Sequence, residues 1–318
     1  MSTLAPGVPE TARVSGPSRF KPSGLTWLVW RQHRALFRLG IVCSLAMTGF
    51  LVYWHASNQA TIGDSTFGGS GTVGLPPDVG LSAAAFMVWM VPLLVGVAGA
   101  QLFEREFTAG TFRLVCAQSM SRGAWVRAKL LVPAAVVILC VTPCAAALTW
   151  DYRLDPSRQW YSIGGFDTIG PVAVAFPLVA LFLGAAAGLT WRSSGPAKGL
   201  ALALVLAFKA GVFWTLPRLL PTTYITGDLS NGPQTPSKAW VVESGYVNAA
   251  GHHVAAPANC LSNAFPDVSC EAKSGLTGQY ATYLPYSDLQ SLQWIATGIC
   301  VIACAALAYY CLRLVRRP

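Results

Sequence analysis

Apolar residues gather along this chain into six long blocks separated by polar sequence, at about Leu39–Trp54, Leu81–Phe103, Leu130–Leu148, Ile169–Thr190, Gly199–Leu216 and Leu292–Leu312. Each approaches the roughly 20 residues that a helix needs to cross about 30 Å of hydrocarbon. Inside lipid every backbone N–H and C=O must find its partner within the protein, and runs of this length meet that demand as helices rather than as barrel strands. Five blocks contain no Lys, Arg, Asp or Glu, and the fifth contains only Lys209. The pattern predicts an all-α polytopic membrane protein with six transmembrane helices. Mean hydropathy of +0.49 agrees, being too high for a domain with a fully wet surface.

Charge then orients the helices. With the N-terminus inside, the inner segments hold 16 basic residues and the outer segments five, while ten of the 13 acidic residues fall outside. Basic residues stay preferentially inside, so both termini are expected in the cytoplasm. The net charge of +9 is thereby explained by topology and attraction to anionic lipid, without nucleic acid. Trp54, Trp150, Tyr152, Trp191, Trp214, Tyr309 and Tyr310 fall near block ends, where amphipathic rings anchor a helix at the interface.

Between the blocks the chain divides further. Residues 1–22 read as a disordered cytoplasmic tail with no secretory signal. In 23–38, "SGLTWLVWRQHRALFR", Ser23 offers a cap, and Arg31, Arg34 and Arg38 share one helical face beside Trp27 and Trp30. That composition predicts an amphipathic interfacial helix, the alternative being a simple extension of the first span. Five helices occupy 39–216, with a charged inner connection over 104–129. Residues 217–291 form a larger extracellular loop domain, longer than a structureless loop should be, in which "AWVVESGYVNAAG" reads as a strand and turn. The sixth helix and a basic tail complete the chain over 292–318. Cys260 and Cys270 are the only cysteines placed outside, in an oxidising compartment, and are expected to form a disulfide. The other seven read as small packing residues. Adjacent His252 and His253 lack metal-ligand spacing, so no metal site is expected.

Catalytic patterns are missing. GxxxxGK[ST], HExxH and GxSxG do not occur, and no block contains a carboxylate pair. The chain is expected to be no enzyme and to hold no cofactor of its own.

The inner connection is the distinctive stretch. "FEREFTAGTFRLVCAQSMSRGAWVRAKL" carries Glu104, Arg105, Glu106, Arg113, Arg122, Arg127 and Lys129 in a chain with only 11% charged residues. Gly110 can close the preceding helix, Thr108 or Thr111 can start a short one, and Ser119 or Ser121 can cap the next. A positive-inside loop explains the arginines, but not two glutamates at the membrane edge or the capped pattern.

Its order of Arg-Glu, Gly-Thr, Ser-Arg and Lys resembles the cytoplasmic loop of type-2 ATP-binding-cassette (ABC) exporter permeases. "LTWLVWRQHR" and "YLPYSDLQSLQWIATGI" resemble the actinobacterial branch of that family, and the similarity extends over about residues 24–317. The resemblance implies a permease subunit in the plasma membrane of a bacterium, driven by a separate ATPase subunit that holds the ATP and Mg, with two permease halves, alike or different, making the pathway. It also implies that Glu104, Glu106, Gly110, Thr111, Ser121, Arg122 and Lys129 belong to the region that couples to the ATPase. A permease-like signalling or immunity protein without an ATPase is the alternative. The enlarged last outer loop departs from the family pattern.

Two features inside the spans complete the reading. Gly184 and Gly188 in "GAAAG", with Gly96 and Ala100, have the small-xxx-small spacing that lets helices approach closely, within one chain or between two. Lys209 lies past the middle of the fifth span with no acidic residue inside any span to pair with it, Glu104 and Glu106 at an inner helix end apart. It is a candidate for the translocation pathway, against a side chain that snorkels to an interface.

Overall fold

The computed structural model describes residues 24–64, 83–108, 121–154, 160–161, 165–191, 194–255 and 268–316. Six helices in it are long and apolar enough to cross a membrane, over Leu25–Trp54, Ala83–Phe103, Arg122–Tyr152, Val172–Thr190, Gly195–Arg218 and Tyr286–Arg316. They lie within α1 (Leu25–Asp64), a π-helical turn (Phe86–Met90) leading into α2 (Val91–Thr108), α3 (Arg122–Leu154), α4 (Val172–Thr190), α5 (Ser194–Thr215) and, near the end of the chain, α7 (Leu289–Arg316).

α4 is the hub. It packs against α2, α3, α5 and α7, and 83% of its apolar window is buried. Its sequence explains this position, because "GAAAG" presents almost no side-chain volume on the face toward α2. A Cβ on Gly184 would overlap the carbonyl oxygen of Gly96, and one on Gly188 would overlap that of Ala100. α2 contributes in kind, since a Cβ on Gly99 would overlap the carbonyl of Leu181. The small residues of the two helices therefore face each other inside one chain.

α1 stands at the edge, packed on α3 with only 11% of its apolar window buried. The separate interfacial helix expected over 23–38 is not a separate element: residues 25–38 are the first turns of α1. Nothing in this stretch breaks a helix, as Arg, Leu and Gln are strong helix formers and no proline occurs. Gly40 sits beside the Cys140 sulfur and does not interrupt the ladder. At 40 residues α1 is about 60 Å long, twice the hydrocarbon thickness, so its arginine-bearing turns project well beyond the apolar layer. Lower down, Ser44 donates to the Cys140 carbonyl at 2.5 Å and Thr48 lies 3.3 Å from the Cys144 sulfur, seating α1 on α3.

The all-α expectation needs correction between α5 and α7. Four strands, β1 (Thr223–Asp228), β2 (Trp240–Asn248), β3 (His253–Val254) and β4 (Leu276–Leu284), form an antiparallel sheet in the order β1-β4-β2-β3, with short helix α6 (Val268–Lys273) before β4. The strands are rich in Val, Tyr, Thr and Ile, which suit a pleated, half-buried surface. Outside lipid, three or more such strands can be stable as a sheet.

An aromatic cluster fixes the sheet to the helices. Trp160, between α3 and α4, is fully buried, packs edge-on against Trp240 of β2 and donates its indole N–H to the Lys238 carbonyl at 2.6 Å. Lys238 holds the left-handed backbone conformation at φ 63°, which turns the chain into β2. Cys270 lies in α6, whereas Cys260 lies outside the described residues.

Candidate functional site

The charged connection between α2 and α3 is anchored at both legs. Ser121 is the cap: its hydroxyl accepts from the Ala124 N–H at 3.3 Å, and its carbonyl takes the Trp125 N–H at 3.2 Å. Arg122 opens α3 and is exposed. Glu104 and Glu106 occupy the last turns of α2, while Gly110 and Thr111 lie outside the described residues.

Lys129 turns inward. It is 1% exposed, donates to the Leu102 carbonyl at 2.6 Å, and lies over the rings of Trp125 at 4.8 Å and Phe103 at 5.3 Å. The C-terminal part of a helix favours a cation, so the ammonium suits the end of α2. Around it Leu102, Phe103, Trp125, Val126 and Leu130 form one apolar cluster with Leu181, Ala185 and Leu189 of α4 and with Cys311 and Val315 of α7. The structure thus brings Ser121, Arg122 and Lys129 onto one helix start, with Lys129 as a clamp inside the bundle rather than a surface group.

A second polar centre lies at the opposite, sheet-side end. Lys209 of α5 is 8% exposed and forms an ion pair with Asp167 at 2.5 Å. Its ammonium also donates to the Val88 carbonyl at 3.0 Å, between the rings of Trp89 at 5.1 Å and Phe176 at 4.9 Å. Val88 and Trp89 belong to the π-helical turn, a form that widens the helix and recurs at functional sites.

Asp167 is not legible as the partner of Lys209 from the apolar blocks alone, because it lies just outside the block Ile169–Thr190. Asp167 sits on the turns 165–171 that precede α4. The usable signal is an acidic residue within two turns of the start of an apolar block, in a chain whose six apolar blocks hold Lys209 as their one lysine.

The sequence profile described as "ABC-2 membrane transporter related" matches residues 35–217, more than half of the chain. The chain belongs to this family. It is a multi-pass, permease-type membrane transporter subunit, and permeases of the ABC-2 kind generally work with an ATPase subunit. No curated protein and no solved structure matches the chain.

The matched segment of this ABC-2 permease runs from α1 through α5, so it contains both polar centres and the α2–α4 seam. It ends where the sheet begins. The sheet domain and α7 are therefore outside the part of the permease that the family profile describes, although α7 closes the cluster around Lys129 through Cys311 and Val315.

Proposed function

We propose that this permease exports its cargo, with ATP hydrolysed by a separate subunit that docks on the connection spanning residues 104–129. The observation that carries this reading is the anchoring of both legs. α2 is clamped through Leu102 by Lys129 of α3, and the apolar cluster there continues into α4 and α7. A push on the connection is then delivered to the bundle as a rigid-body movement, because packed helices shift as units rather than deform.

In this reading both termini and the connection are cytoplasmic, the sheet domain is extracellular, and the membrane is the plasma membrane of an actinobacterium. Two permease halves enclose the pathway, and ATP and Mg stay on the ATPase, this chain performing no catalysis. Cys260 and Cys270 close a disulfide that ties the start of α6 to the segment before it. Glu106, Arg122 and their neighbours set the register of docking by charge complementarity.

Reversing charge with Glu106→Lys or Arg122→Glu should abolish co-purification of the ATPase while the permease still inserts. Retention of the ATPase by both variants would instead favour a permease-like protein that acts without one.

A further inference from the structure

The Lys209 ammonium is enclosed on three sides by spanning helices. The Val88 carbonyl accepts from it, and the Trp89 and Phe176 rings flank it. The cavity beside it, about 10 Å3, has room for no more than a water-sized guest. Its fourth side is filled by Asp167, which belongs to no spanning helix.

The two partners differ in access. The Asp167 side chain is 23% exposed and that of Lys209 is 9% exposed, so the anion's position opens toward solution and the cation's does not. Asp167 rides on turns 165–171, which besides this ion pair are held by Phe166 and Ile169 buried in the apolar core and by neutral hydrogen bonds. Gln293 of α7 donates to the Phe166 carbonyl at 2.8 Å and accepts from the Val172 N–H at 3.4 Å, and the Gly170 N–H reaches the Thr149 hydroxyl at 3.3 Å. Gly170 adopts φ 67°, a conformation open to glycine.

A buried ammonium strongly resists losing its counter-charge, but exchange of one anion for another leaves it neutralised throughout. A lysine is also a compact point charge that donates to carboxylate or phosphate oxygens without demanding a planar fork. We propose that the Lys209 centre is an anion-binding site plugged from within by Asp167. A carboxylate or phosphate group, from cargo or from a lipid head, takes the place of Asp167 at the ammonium and turns the Asp167 side chain out toward solution. The cargo role rests on the transporter reading above; the anion site does not.

The test uses the purified full chain in phosphatidylcholine nanodiscs. Asp167→Ala should melt below the parent protein, and sodium acetate or phosphate should restore at least half of that loss where sodium chloride of equal ionic strength does not. Lys209→Met/Asp167→Ala should show no such recovery. Recovery in phosphatidylglycerol nanodiscs without added anion identifies a lipid head as the source, and recovery only with acetate or phosphate identifies a free or cargo-borne group. Asp167→Ser, which leaves similar space, carries the same test if the alanine variant does not purify. The proposal is overturned if acetate and phosphate do no more than chloride, if the double variant recovers equally, or if neither single variant folds even in acetate. Because no ATPase is present, loss of ATPase docking would sink the transporter reading and leave this result standing.

Discussion

Lys129 of α3 donates to the main-chain carbonyl of Leu102 on α2 at 2.6 Å, with its ammonium over the rings of Trp125 and Phe103. The bond crosses between the two helices that the charged connection joins. A force applied to that connection therefore meets a stiff joint within a turn or two of where it enters the bundle.

Lys129→Met keeps the length of the side chain and removes the charge. A hydrogen bond with a charged partner contributes about 1.5–3 kcal/mol, and the methionine recovers part of this by packing on the same rings. We expect a clear drop in melting temperature of the purified permease with unchanged membrane insertion. An unchanged melt would show that the joint does not depend on Lys129.

The α2–α4 seam makes a sharper prediction. At Gly184 even one methyl group meets the backbone of Gly96, which cannot swing aside as a side chain would. Gly184→Leu should be destabilising at or beyond the upper end of the about 1–3 kcal/mol typical of overpacking, and folded yield in detergent should fall sharply. Gly49→Ala on α1, where an added methyl meets nothing within 4 Å, is the matched control. It should melt at or slightly above the parent temperature, since alanine favours a helix by about 1 kcal/mol over glycine.

The ion pair predicts an asymmetry between its partners. Removing one member of a buried pair costs about 3–5 kcal/mol when the other is left uncompensated. Asp167→Asn strands the more buried lysine, whereas Lys209→Met strands a carboxylate that water partly reaches. Thermal melts should rank Asp167→Asn as the more harmful, with Lys209→Met/Asp167→Asn milder than the sum of the two. Equal single effects that simply add would show that the two groups do not act as a pair.

Much of the helical scaffold was legible because lipid enforces it: a run of about 20 apolar residues has few other fates. β2 was legible in "AWVVESGYVN", but β1 is only six residues long and β4 alternates small and polar residues with its tyrosines, so neither stands out as an apolar β-rich run. The length of α1 was hidden because hydropathy drops at Arg34 and Arg38 while helix propensity does not. At the site, the cap at Ser121 follows from local spacing, but the inward turn of Lys129 depends on Phe103, which folding brings in from another helix. The one local sign of it was Trp125, four residues earlier on the same helical face. Asp167 was missed for a similar reason, as its partner lies 42 positions away on α5.

The sheet domain carries a pH-dependent element. The Tyr280 phenol is held above its ordinary range, first by burial, then by its hydrogen bond at 3.0 Å to Glu243 and the negative charge there, with a smaller contribution from Tyr224. A raised pKa means that the folded sheet prefers the neutral phenol. That stability is complete below the unfolded value of about 10 and is lost as pH rises through the folded value. Circular dichroism melts between pH 9 and pH 11 should show a steeper alkaline loss for the parent chain than for Tyr280→Phe. Parallel curves would remove Tyr280 from the alkaline transition.

Docking of the ATPase on the α2–α3 connection is tested most directly by photocrosslinking in native membranes. A photoreactive residue replaces Arg122, the exposed first residue of α3, or Tyr224, exposed on the sheet at the other end of the molecule. With the ATPase docked on that connection, position 122 gives an adduct with an ATPase subunit and position 224 gives none. An ATPase adduct from position 224, or none from position 122 in a complex that still hydrolyses ATP and transports, would contradict this docking.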